Sequence, residues 1–263
     1  MTAFALGRAE TGYNRVPQVT ADFWLIKLMA VTVGETAADY MNLDLGLGLS
    51  TTSWILAGCL IVAIAIQFAQ RRYVPWAYWL AVVLISVVGT LVTDNLVDNY
   101  GVSLWTTTII FSAALAATFA AWYASERTLS IHTIHTTKRE IFYWLTILFT
   151  FALGTAAGDL GAELIGLGFL YTGLAFGAVI ALIAAAYYAG WMNGILAFWL
   201  AYILTRPLGA CFGDLLSQGP KYGGIGFGTI YTSYIFLGAI AAIVIYMTLT
   251  RSGEEVAPVG QGA

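Results

Sequence analysis

One pattern recurs four times along this chain: a Trp, a Gly ten residues later, and an Asp five residues after the Gly. The four sets are Trp24/Gly34/Asp39, Trp79/Gly89/Asp94, Trp144/Gly154/Asp159 and Trp199/Gly209/Asp214. Each Asp comes at the end of an apolar run, where a carboxylate is costly to place. The pattern predicts a fourfold internal repeat, and a functional account has to explain the recurring acid.

The fourth copy departs from the other three. A second Gly follows the Asp by seven residues in the first three copies, whereas Gly226 comes five residues later than this spacing predicts. Copy four therefore carries a five-residue insertion after Asp214. The Trp residues are 55, 65 and 55 positions apart, which groups the copies into two halves joined by a longer connection.

Composition determines the environment in which this repeat folds. Hydrophobic residues make up 60% of the 263 residues and charged residues only 10%, which is too apolar for a soluble globule. A helix of roughly 20 apolar residues spans a ~30 Å hydrocarbon core. Eight apolar stretches are close to that length: 21–38, 52–69, 76–93, 104–124, 141–158, 168–189, 195–213 and 228–249. We predict an all-α membrane protein with eight transmembrane helices formed by four tandem two-helix repeats.

The basic residues predict the orientation of these helices. Arg and Lys concentrate in the tails and in the connections between repeats, so the positive-inside rule places both termini in the cytoplasm. Because each copy has two helices, all copies share one orientation and should be pseudo-symmetric about an axis along the membrane normal. The predicted regions are a cytoplasmic N-terminal tail (1–18), repeats 1 and 2 (19–124), a cytoplasmic connection (125–139), repeats 3 and 4 (140–250) and a disordered C-terminal tail (251–263).

The residues around two of the repeat glycines carry a resemblance to a known family. These are Val33-Gly34-Glu35-Thr36 with Asp39 in copy one, and Thr205-Arg206-Pro207-Leu208-Gly209-Ala210 with Gly213-Asp214 in copy four. From Pro17 to Arg251 the chain resembles bacterial polytopic inner-membrane proteins built from tandem copies of a repeat of unknown function. The resemblance implies the architecture and a multi-pass location in the bacterial inner membrane. It brings no catalytic or binding residue with it.

The recurring acids define the candidate site. Each Asp follows its Trp by about 22 Å of helix, so if the Trp marks one membrane interface the Asp lies near the other. We expect the following residues to converge there with Glu35 and to bind or conduct a cation: Asp39, Asp94, Asp159 and Asp214. Carboxylates suit hard cations such as Mn²⁺ or Mg²⁺, so these four are also the candidate metal ligands. The alternative is that each Asp caps or ends a helix and anchors it in the headgroup layer.

Glu35 and Arg206 are charged residues unique to their copies. The counterparts of Glu35 are Thr90, Thr155 and Ala210. If the repeats close into a ring, copies one and four are neighbours and Arg206 can reach Glu35. Two interpretations stay open for this pair, a structural ion pair and a role in transport.

Two further residues carry local predictions. Pro207 predicts a kink or an unwound segment in the seventh helix. Lys27 lies one turn inside the first helix, and we expect its ammonium group to extend to the cytoplasmic interface.

The motifs of several function classes are missing from this sequence. It has no Gly-rich phosphate loop, no Ser/His/Asp set and no basic stripe for nucleic acid, so we expect neither an enzyme nor a cofactor. The expected partners are the lipid bilayer and a small cation, and the composition is compatible with a homo-oligomer. The predicted function is a transporter or channel for a divalent metal or a proton-coupled cation. The alternative is a non-transporting structural or sensory helix bundle of the inner membrane.

Overall fold

The computed structural model of the chain describes residues 13–253, and this part of the chain folds into helices without any strand. The long helices are α1 (Ala21–Asp39), α2 (Leu49–Ala69), α3 (Pro75–Asp94), α4 (Leu104–Glu126), α5 (Thr137–Asp159), α6 (Gly168–Tyr188), α7 (Gly194–Ser217) and α8 (Thr229–Thr250). They follow the eight predicted apolar stretches in order. Residues 1–12 of the predicted N-terminal tail and 254–263 of the predicted C-terminal tail lie outside the described residues.

Seven of these helices, α2 to α8, are long and apolar enough to cross a membrane. Helix α1 differs because its 19 residues include Asp22, Lys27, Glu35 and Asp39. It is nonetheless largely buried and packs against α3, α7 and α8. The chain is a multi-pass membrane protein in which α1, whose charged residues are spread along its length, is largely buried among its neighbours.

The odd-numbered helices form an inner ring. Helix α1 packs on α3, α3 on α5, α5 on α7, and α7 on α1. Each even-numbered helix packs outside the ring against the first helix of the following copy, and α8 packs on α1. The apolar segments of α3, α5 and α7 are 56–61% buried and those of the outer helices 17–28%, so the outer helices present the larger lipid-facing surface.

The repeat glycines lie where neighbouring inner helices cross. Their closest partners are Ser86 for Gly34, Phe151 for Gly89, Arg206 for Gly154 and Val31 for Gly209. Each partner lies three positions before the repeat Gly of the next copy, and the fourth contact returns to copy one. A Cβ at any of the four positions would overlap the partner side chain. The recurring Gly is therefore required by close packing around a closed ring.

In the first three copies the inner helix continues past the repeat Asp as one turn of π-helix. We refer to these segments as the π turns: Tyr40–Asp44, Asn95–Asn99 and Leu160–Leu164. Single π-helical turns are rare and are frequent at functional sites. The second repeat Gly follows each π turn with φ between 65° and 81°, a left-handed conformation that glycine adopts without steric cost.

The inserted residues of copy four fold back over the end of α7. They include a short 3₁₀ turn, Pro220–Tyr222, and the N–H of Ile225 donates to the carbonyl of Leu215 over 2.7 Å. Helix α7 itself runs from Gly194 to Ser217 with Pro207 inside it. The alternative that the helix unwinds at Pro207 is therefore wrong, because neighbouring helices compensate a missing backbone donor within a packed bundle.

The repeat Trp side chains form part of a buried aromatic cluster. Three of them, Trp79, Trp144 and Trp199, are 1–4% exposed. Each of these rings packs against the aromatic residue directly before it in the sequence and against the equivalent residue of the preceding copy. These aromatic residues are Phe23, Tyr78, Tyr143 and Phe198. The hydroxyls of Tyr78 and Tyr143 lie 2.6 Å apart. These three indole rings therefore do not face lipid, since they fill the N-terminal end of the ring.

Residues 13–18 also belong to the packed structure at this end. The Asn14 side chain donates to the carbonyl of Ile131, over 2.9 Å, and Arg15 pairs with the buried Glu140 over 2.7 Å. This part of the predicted N-terminal tail therefore connects the two halves of the chain.

Replacing Gly89 with Ala should destabilise the bundle by about 1–3 kcal/mol, the usual cost of overpacking. The added Cβ would lie 2.8 Å from the Cβ of Phe151. The control is Gly58→Ala in α2, since nothing lies within 4 Å of a Cβ at that position. Denaturant unfolding of both variants in detergent micelles measures the difference, and an equal effect of the two changes would contradict the assigned role of the repeat Gly.

Candidate functional site

A cavity of about 510 Å³ lies at the C-terminal ends of the inner helices. Its wall includes one repeat Asp from each inner helix, together with Glu35 of α1. Exposed residues such as Leu43 and Tyr222 also line it, so the cavity reaches the protein surface at this end. The structure thus brings Asp39, Asp94, Asp159, Asp214 and Glu35 around one space.

Seven carboxylate residues line this cavity at three depths. The four repeat Asp residues form the middle tier. Glu35 lies four residues before Asp39, about 6 Å deeper along the helix, and forms the inner tier. Asp98 and Glu163, in the π turns, form the outer tier. The described residues that line the cavity include no Lys, Arg or His.

The outer tier went unrecognised as part of the site when only the sequence was considered. Asp98 and Glu163 each lie four residues after a repeat Asp. The corresponding residues in copies one and four, Leu43 and Gln218, also line the cavity. The signal that could have revealed them is this spacing, because residues four apart lie on one face of a helix.

The repeat acids have few hydrogen-bond partners in the described part of the chain. Asp39 accepts one hydrogen bond, from Gln218 Nε2 over 3.2 Å. Asp214 is only 8% exposed, yet its carboxylate receives neither a hydrogen bond nor an ion pair from any described residue. No side-chain hydrogen bond caps the π turns that follow the Asp residues of copies one to three, so helix capping does not explain why the acid recurs.

Next to this cavity, the fully buried Arg206 connects all four inner helices. Its guanidinium donates to Glu35 Oε2 (3.2 Å) and the Val31 carbonyl (3.1 Å) on α1, the Thr90 hydroxyl on α3, and the Thr155 hydroxyl (2.8 Å) and the Phe151 carbonyl (3.3 Å) on α5. The ion pair predicted between Glu35 and Arg206 is present. A charged group without water needs such a set of partners, and here each neighbouring helix supplies part of it.

Glu35 belongs both to this network and to the cavity. Its Oε2 accepts from Arg206 and, over 3.2 Å, from the hydroxyl of Thr90. Its Oε1 accepts no hydrogen bond from the described residues, and the side chain lines the cavity. Glu35 can therefore contact a bound cation while it remains paired with Arg206.

Lys27 lies on the same face of α1 as Glu35, about 12 Å closer to the aromatic end. The prediction that its ammonium group reaches the cytoplasmic interface is wrong, because Lys27 is fully buried. Its Nζ donates to the carbonyl of Tyr202 over 2.8 Å and lies 3.8 Å from the centroid of the Tyr202 ring. Two basic side chains, Lys27 and Arg206, therefore lie between the acidic cavity and the aromatic cluster.

The described residues include no preformed cluster of metal-ligating side chains. No group of three or more His, Cys, Asp or Glu side chains among them could hold a metal ion. The assignment of the four repeat Asp residues as metal ligands stays a prediction. An ion that entered this cavity would keep much of its water shell, as Mg²⁺ commonly does.

Four segments match the family model described as Repeat of Unknown Function (DUF347): residues 23–73, 77–128, 142–190 and 197–252. These segments cover most of the chain, which therefore belongs to this family. No curated protein and no solved structure matches the chain. The family description names no activity, so the function has to be inferred from the geometry of the cavity.

Replacing Arg206 with Met should cost about 3–5 kcal/mol of stability, because it leaves the buried carboxylate of Glu35 without its cation. The double variant Glu35→Gln/Arg206→Met removes both charges and should recover a large part of that loss. Unfolding of the wild type, both single variants and the double variant in detergent gives the coupling energy of the pair. Strictly additive effects would show that the two side chains do not stabilise each other.

Proposed function

We propose that this member of the family is a membrane transporter for a small cation, which binds in the acid-lined cavity. One observation carries the proposal: every inner helix contributes a carboxylate to a single cavity that reaches the surface. Unlike charges attract more strongly where water is partly excluded, and a cleft lined by one sign of charge concentrates the opposite ion. Protons and divalent metals such as Mn²⁺ or Mg²⁺ are the first candidates.

The proposed placement in the membrane has eight spans. Helix α1 is included because α3, α7 and α8 enclose it and because its Lys27 and Glu35 are bonded within the bundle. The four equivalent glycine contacts support pseudo-symmetry about an axis along the membrane normal. With both termini in the cytoplasm of a bacterial inner membrane, the cavity opens to the outside.

A transporter fits the inner ring better than an open channel. Arg206 crosses the ring next to the cavity, and the aromatic cluster fills its opposite end. A cation in the cavity would meet a buried guanidinium before it could move further. Passage therefore requires the inner helices to rearrange, as in an alternating-access cycle.

The test is cation flux into proteoliposomes loaded with Mn²⁺, Mg²⁺ or pH indicators. Asp39→Asn and Glu35→Gln should each reduce flux of the transported ion about tenfold, since a lost charge-assisted contact is worth about 1.5–3 kcal/mol. Asp22→Asn is the matched control, because Asp22 lies in the first turn of α1, away from the cavity. Unchanged flux in both cavity variants would refute the assigned site. If the wild type moves none of these ions, the bundle is structural or sensory.

A further inference from the structure

The size and charge pattern of the cavity indicate a more specific substrate. We propose that the cavity binds a linear oligoamine, an organic cation with two or more ammonium groups joined by short methylene chains. This inference rests on the proposed function, because it names the substrate class of the same cavity. Four features support it: the volume, the spacing of the acids, two enclosed carboxylates that lack partners, and an apolar part of the wall.

The volume is that of a site for a small organic molecule. At about 510 Å³ it lies within the roughly 300–1,000 Å³ of small-molecule pockets. A dehydrated Mg²⁺ or Ca²⁺ ion instead needs oxygen ligands at about 2.0–2.6 Å. No group of three ligating side chains among the described residues could supply them.

The acids are spread along the cavity axis at the spacing of an oligoamine. Glu35 lies four residues, about 6 Å of α-helix, before the tier of repeat Asp residues. Asp98 and Glu163 lie four residues beyond that tier, in the π turns. Two amine nitrogens joined by three or four methylenes lie about 5–6 Å apart, from ordinary bond lengths. A triamine can thus place one nitrogen at each tier.

Two enclosed carboxylates lack the donors that an ammonium group would supply. Asp214 is 8% exposed and has no hydrogen-bond partner among the described residues, and the Oε1 of Glu35, a residue 5% exposed, accepts no hydrogen bond from them. Both side chains line the cavity. Their free oxygens are accessible from the cavity, where a primary ammonium group offers three N–H donors to them.

The apolar part of the cavity wall suits methylene chains. Phe169 of α6, Tyr222 of the insertion, and the apolar residues Val97, Leu104 and Ala162 line the cavity together with the carboxylates. Aromatic rings pack against alkyl chains and attract ammonium groups through their faces. A metal ion does not bind to apolar surfaces, whereas an oligoamine contacts them with its methylene chains and contacts the carboxylates with its ammonium groups.

Calorimetric titration of the purified full chain in detergent tests this inference, with spermidine, putrescine, butylamine and MgCl₂ as probes at constant ionic strength. Spermidine should bind at least about tenfold more tightly than butylamine, because its further ammonium groups add charge-assisted contacts with the carboxylates. Asp214→Asn should weaken spermidine binding by about the same factor, and Asp22→Asn should leave it unchanged. Equal affinities for spermidine and butylamine would overturn the inference.

A second variant avoids the protein interior. Asp98 and Glu163 are exposed, so Asp98→Asn/Glu163→Gln should fold normally and should remove the preference for spermidine over putrescine. A preference that persists in this variant contradicts the assigned tiers. Flux of labelled spermidine into proteoliposomes completes the test. If Mn²⁺, Mg²⁺ or H⁺ is transported and no amine binds, the substrate assignment fails while cation transport stands, whereas an absence of all flux refutes transport itself.

Discussion

The buried guanidinium of Arg206 is the interaction on which the arrangement of the inner helices depends. It reaches from α7 to α1, α3 and α5, and it has no contact with solvent. A guanidinium in such a place is tolerated only if every neighbouring helix presents an acceptor to it. Gly154 provides the space for its stem, since a Cβ there would overlap the Arg206 side chain. The packing of the ring and the placement of this charge therefore require each other.

Regular and exceptional positions of the repeat have different functions in the bundle. The repeat Gly allows neighbouring inner helices to approach, and the repeat Asp supplies the cavity with one acid per helix. Glu35, Arg206 and Lys27 break the repeat: Glu35 lines the inner end of the cavity, and the two basic side chains lie between the cavity and the aromatic cluster. A symmetric ring would give this region four identical side chains. The exceptions replace them with an ion pair and a buried lysine, all three bonded within the bundle.

The sequence predicted the position of residues along each helix better than the direction in which their side chains point around it. The eight apolar stretches and the matching depth of Arg206 and Glu35 along their helices follow from counting residues along the chain, whereas the approach of the two side chains depends on closure of the ring. The error at Lys27 concerns the direction of a side chain, since its ammonium group points into the bundle. Amphipathic periodicity is weak in a chain this apolar, because lipid and protein interior select similar residues. For Asp98 and Glu163 the four-residue spacing from a repeat Asp was present in the sequence, but only the structure shows that this face of the helix meets the cavity.

By itself, the sequence determined the number of copies, the helices, their membrane setting and the position of each acid along its helix, because composition and spacing act locally. Only the tertiary structure decided which faces meet. Ring closure places Gly209 against Val31, Arg206 beside Glu35, and four acids from distant parts of the chain around one cavity. Contacts of this kind depend on the packing of whole helices and on the partners that a buried charge finds there, and no local pattern encodes either of them.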